Sequence, residues 1–268
     1  MHSYICTVCG VGYAETDAPR EICLICADDR QYPNPKGQGW TTLEALREKH
    51  VNELIELEPG LTGLGSKPQI AIGERALIIE RPDGGVMWDC TPLITDAAVA
   101  AIKAKGGVKA IAISHPHFYA TMVDWSRALG GVPIYLHEDN RDWVMRPDPA
   151  IEFWAGESKE IAAGITLIRT GGHFPGSTIL HWAEGAGGKG VLMTGDSIMV
   201  VPDTRWLSFM YSYPNLIPLN AKAVERIVKA VRAYGFDRIY AGWWDRVLDR
   251  DGKAALQRSA ERYIAAIR

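Results

Sequence analysis

The spacing of apolar and polar positions divides most of the chain into short elements. Thr41-Thr42-Leu43-Glu44 has the Ser/Thr-x-x-Glu pattern in which a hydroxyl and a carboxylate cap the first backbone amides of a helix. It predicts a helix running toward His50. Apolar runs bounded by glycine, proline or charge predict hairpin strands at 69–72, 76–80 and 86–89. Further strands are predicted at 108–113, 133–136, 165–169, 178–182, 191–194 and 238–241, and helices at 96–105, 119–129, 220–234 and 253–267. Antiparallel strands followed by mixed strand-helix alternation predict a layered α/β (α+β) sandwich.

Composition narrows the class. With 268 residues, 47% hydrophobic and 23% charged, the chain suits one large globular domain with a small appendage, and excludes collagen-like, disordered and disulfide-scaffold classes. The net charge of −3 and the lack of any basic run argue against a nucleic-acid partner. No apolar run approaches the ~20 residues that span a bilayer, and MHSYICTVCG does not read as a signal peptide, so a cytoplasmic protein without a membrane partner is expected.

Four of the five cysteines form two C-x-x-C pairs, Cys6/Cys9 and Cys23/Cys26. In a chain without a secretory signal, such pairs point to a metal ion rather than to disulfides. Four thiolates suit tetrahedral zinc or iron, and Gly10 supplies the turn after the first pair. The segment resembles zinc-ribbon and rubredoxin-like knuckles, which implies a structural zinc or a four-thiolate iron that carries electrons. The Pro/Gly-rich stretch 31–39 reads as a connector, giving a small metal domain at 1–38 and a main domain at 39–268. Cys90 reads as a buried thiol at a strand end.

The informative histidines follow predicted strands. The strand at 108–113 runs into Ser114-His115-Pro116-His117-Phe118-Tyr119, where residues two apart in an extended segment face one side. The strand at 165–169 runs into Thr170-Gly171-Gly172-His173-Phe174-Pro175-Gly176-Ser177, and that at 191–194 into Gly195-Asp196-Ser197. In this order the motifs resemble the metallo-β-lactamase superfamily over about residues 40–268. The resemblance implies an αββα sandwich in which His115, His117 and His173 form a metal site, with Asp196 reaching it. The superfamily's full signature is H-x-H-x-D-H, but Tyr119 and Ala120 occupy its last two places. Where the superfamily has its last histidine, this chain reads Gly242-Trp243-Trp244-Asp245. One zinc in the histidine site and one in the cysteine site is therefore the expected complement, with iron as the alternative at either.

Zinc on three neutral imidazoles lowers the pKa of a bound water toward ~7. Asp196 is then the candidate proton acceptor, and Tyr119 the candidate donor to a developing oxyanion. The expected function is a mononuclear metal-dependent hydrolase of a small, apolar substrate, with a second copy of the chain (a homo-oligomer) as a candidate partner. The alternatives are an iron oxygenase or redox enzyme using His115, His173 and Asp196, and a metal-binding protein that has lost catalysis. Phe118, Phe174, Trp206, Trp243, Trp244 and His137 are the candidate pocket residues, and 201–214, which has no clear period, is a candidate covering loop. Asp124, Asp245, Arg205 and Arg246 are spare charges of no assigned role.

Overall fold

The structure is a computed structural model that describes residues 1–32, 34–35 and 37–267; Pro33 and Lys36 of the expected connector fall outside them. The chain divides into two compact units, Met1–Leu136 with Arg141–Phe153, and His137–Asn140 with the residues from Trp154 onward. Among the described residues no helix is long and apolar enough to cross a membrane.

The first unit is built on a seven-stranded sheet, in order Val51–Glu58, Leu61–Lys67, Ala76–Ile79, Gly85–Trp88, Val108–Ala112, Ile134–His137 and Ile151–Trp154. The early strands pair antiparallel, and Gly85–Trp88, Val108–Ala112 and Ile134–His137 run parallel, as strands joined through helices must. Those helices are Asp96–Ala104, capped by Thr95, and Met122–Ala128. Both central strands Ala76–Ile79 and Gly85–Trp88 are buried throughout, which is why they read as unbroken apolar runs.

The second unit carries a six-stranded sheet, in order Ser158–Ala162, Ile165–Arg169, Thr178–Trp182, Val191–Met193, Arg238–Tyr240 and Val247–Leu248. Only Val191–Met193 and Arg238–Tyr240 pair in parallel. Helices Ala221–Val231 and Gly252–Ala266 pack on this sheet, and Val224, Ile227 and Leu256 join Ile168, Ile179, Leu192 and Phe209 in one buried cluster. Burying each such side chain is worth about 1.5–3 kcal/mol.

Several expectations need correction. Residues 69–72 form a turn, closed by the Gly73 amide on the Ile70 carbonyl, with Ala71 at φ +50°. The hairpin of Val51–Glu58 and Leu61–Lys67 is absent from the sequence-based expectation, because Glu53, Glu56 and Glu58 break the alternation. The first helix spans only Leu43–Arg47, and its cap is Thr42, whose Oγ accepts from the Ala45 amide. The helix expected from Tyr119 begins at Met122, since Pro116–Phe118 forms a separate 3-10 turn and Ala120 sits at φ +41°. The stretch 201–214, a candidate covering loop, contributes to two small hairpins, Met199–Val200 with Leu207–Ser208 and Met210–Ser212 with Ile217–Pro218.

Candidate metal centres

The N-terminal cysteines converge within the first unit. One sulfur from each of Cys6, Cys9, Cys23 and Cys26 lies within 4.8 Å of the others, and only Cys26 is partly exposed. Sγ–Sγ distances of 3.6 Å for Cys6–Cys26 and Cys9–Cys23 are far too long for disulfides. Proton sharing splits the four thiols. A hydrogen bond with Cys23 holds Cys6 far below its ordinary value, and one with Cys26 brings Cys23 to about 7. Burial raises Cys9, and the Cys23 contact raises Cys26. Four thiolates at this spacing require a cation, so the donor set fits zinc or iron.

Neighbouring donors already point at the sulfurs. Val8 N–H and Gln38 Nε2–H donate to Cys6 Sγ at 3.4 and 3.2 Å. Tyr13 O–H donates to Cys23 Sγ at 3.3 Å while accepting from the Leu24 amide at 2.8 Å. Burial, followed by the Cys23 contact, keeps the Tyr13 hydroxyl protonated. At φ +74°, Gly10 sits so close to Pro92 that an added Cβ would lie 2.3 Å from its Cγ. The segment is tied onward: Ile5 packs with Leu46, Ile70 and Leu93, the Gly12 amide donates to the Ala120 carbonyl at 2.8 Å, and Arg146 Nη1 donates to Ser3 Oγ at 3.0 Å.

The first unit also holds His115 and His117, both buried, with ring centroids 5.0 Å apart. They meet through the 3-10 turn at Pro116 rather than through an extended strand: Val108–Ala112 has ended, and proline at the first helical position turns the chain. Ser114 links this turn to the sheet. Its amide donates to Asp89 Oδ1 at 2.8 Å, and its hydroxyl lies 3.0 Å from His115 Nδ1. Phe118, fully buried, packs edge-on against His115 at 5.1 Å. Tyr119, at the end of the turn, is 1% exposed.

The second unit holds His173 and Asp196, with Nε2 and Oδ2 3.6 Å apart. Gly171 and Gly172 at φ +63° and +87° turn the chain after Ile165–Arg169, and the Thr170 and Gly171 amides both donate to the Ser177 carbonyl. The Met210 carbonyl lies 3.2 Å from His173 Nδ1, which sets the proton there and leaves Nε2 toward Asp196. Tyr213 O–H donates to the Asp196 carbonyl at 2.6 Å, and its ring lies 6.0 Å from that of His173. Phe174 is fully buried against His173 at 5.1 Å.

The Gly242 amide donates to the Gly195 carbonyl, which brings the Trp243-Trp244 turn beside the Asp196 loop. Trp206 lies instead under the Arg262 guanidinium, 4.1 Å from its ring centre. His137 has both nitrogens engaged, Nε2 with the Gly156 carbonyl at 3.0 Å and Nδ1 with the Asp139 amide at 3.2 Å. Asp124 pairs with Arg146, Asp245 with Arg246, and Arg205 with Asp203. Cys90 is fully buried, and burial, then Asp89 and Glu74, push its thiol well above the ordinary value. Sequence reading missed Ser114, Gln38, Tyr13 and Tyr213. Ser114 adjoins the H-x-H pair, whereas Tyr213 falls in 201–214, marked by the sequence only as a candidate covering loop.

YmaE of Bacillus subtilis (strain 168), an uncharacterized protein, is 46% identical to this chain over 269 residues, covering 100% of this chain and 97% of YmaE. The chain belongs to the YmaE family. Among solved structures, VMB-1 superposes with a TM-score of 0.60 at 16% identity, covering 81% of this chain and 98% of its own. The metallo-β-lactamase FIM-1 from Pseudomonas aeruginosa, in its mono-zinc form, gives 0.57 at 16% identity, covering 81% and 97%. This YmaE relative therefore has the metallo-β-lactamase fold. No family model matches the sequence.

Proposed function

We propose that this protein is a metal-dependent hydrolase in which His115, His117 and His173 hold one ion, with Asp196 beside it. Two buried pairs carry the reading: His115 and His117, with ring centroids 5.0 Å apart, and His173 and Asp196, with Nε2 and Oδ2 3.6 Å apart. Three imidazoles suit zinc and leave a coordination position open to water. The mono-zinc form of FIM-1 supports a one-ion site in this fold, as do Tyr119 and Ala120 at positions where the sequence resemblance leads one to expect further ligands. When bound, the ion supplies Lewis-acid polarisation and makes water acidic enough to ionise near neutral pH.

The chain's own residues do the rest. Ser114 and the Met210 carbonyl orient His115 and His173 through their Nδ1 atoms. Asp196, 3% exposed and pinned at its carbonyl by Tyr213, orients the attacking water and accepts its proton. Tyr119 O–H donates to the substrate oxygen that gains charge. The aromatic residues by the ligands favour a small, apolar substrate, and the four-cysteine site serves folding with a second zinc, in the cytoplasm. The test is metal analysis of wild-type and His115→Ala protein alongside turnover on ester, thioester, lactone and phosphoester panels. Loss of one ion together with hydrolysis is expected; full metal content, or normal turnover by metal-free protein, refutes the reading.

A further inference from the structure

A groove of about 840 Å³ runs between helices Ala221–Val231 and Gly252–Ala266 in the second unit, and shares no residue with the metal centres. Its floor is apolar, from Val228, Leu256, Ala260 and Ile264. Exposed charges rim it at both ends. The helices lie antiparallel along it, since Lys253 Nζ, at the start of the second helix, donates to the Arg232 and Tyr234 carbonyls at the end of the first. One end is therefore basic, with Lys229, Arg232 and Lys253, and the other acidic, with Glu225 and Glu261.

Two features point to the occupant. Among the described residues Glu225, Lys229 and Arg232 make no ion pair, although Glu225 and Lys229 are one helical turn apart. The poles are also evenly spaced, because at 1.5 Å per residue Glu225 and Arg232 lie about 10 Å apart along one helix, and Lys253 and Glu261 about 12 Å apart along the other. A copy rotated by 180° across the groove sets acid against base at both ends and apolar floor against apolar floor. An anionic amphiphile would use only the basic end.

We propose that this groove is the interface of a two-fold symmetric homodimer, with Glu225 and Glu261 of each copy facing Lys229 and Arg232 of the other. Such an isologous contact is self-complementary in charge. The test is sedimentation equilibrium of the full chain between about 1 and 100 μM. The wild type should be dimeric, and its dissociation constant should rise with salt. Lys229→Glu/Arg232→Glu and Glu225→Lys/Glu261→Lys should each weaken the dimer by at least about tenfold, through like charges set opposite one another. An equal mixture of the two variants should restore it as a heterodimer, which also reports that both are folded. A wild type that stays monomeric throughout, a dimer that neither reversal weakens, or a mixture that does not recover overturns the proposal.

Discussion

Replacing Glu74 with glutamine should flatten the pH dependence of stability. Glu74 is 3% exposed, and among the described residues neither carboxylate oxygen has a hydrogen-bond partner beyond its own residue. Burial raises its pKa from 4.5 to about 8; its own backbone amide offsets this weakly, and the Asp89 charge adds to it. A carboxyl whose pKa is raised by folding stabilises the native state most below the unfolded value, and that contribution is lost as pH climbs through the folded one. Between pH 6 and 8 the wild type should therefore lose about 2 kcal/mol from this group, approaching about 5 kcal/mol once it is fully ionised. Glu74→Gln carries no such titration, and any cost of burying its amide is independent of pH. Urea unfolding of both proteins at pH 6, 7 and 8 isolates the effect, since groups that do not face Glu74 cancel in the difference. Stability curves that run parallel across this range would show that the carboxyl titrates normally, and would refute the reasoning.

Three further outcomes are expected. His115→Ala should reduce bound metal from about two ions per chain to about one, read by elemental analysis; retention of both would remove His115 from the ligand set. Asp196→Asn should lower kcat/KM on any substrate found by about 100- to 10,000-fold; an unchanged kcat/KM would exclude Asp196 as proton acceptor. Tyr13→Phe removes the hydroxyl on Cys23 Sγ and should weaken metal retention against a chromogenic chelator by about tenfold, without changing the site's stoichiometry.

The sheets were legible where strands are buried on both faces. Ala76–Ile79 and Gly85–Trp88 read as apolar runs because no solvent-facing position interrupts them. The hairpin over residues 51–67 was illegible for the opposite reason, as its first strand is largely solvated and carries three glutamates. The cysteines announced their cluster through spacing alone, because two ligands on one tight turn have one place to point. The surrounding donors left no trace, since Gln38 and Tyr213 act through positions far along the chain that only the folded backbone brings close. The histidine pair shows a subtler failure. Its spacing suggested a strand, but Pro116 and the left-handed Ala120 place the rings through a turn.

The Gly12–Ala120 hydrogen bond has a consequence for how the chain can be shortened. A protein begun at Gly39 would keep His115, His117, His173 and Asp196 while losing the donor that holds the Ala120 carbonyl, three residues beyond His117. It would also lose Ile5 from over Leu46, Ile70 and Leu93, and Ser3 from Arg146. Trimming the cysteine segment would thus uncover an oily surface and slacken the backbone behind two imidazoles, so residues 3–12 act as a clamp on a loop about a hundred residues further along the chain.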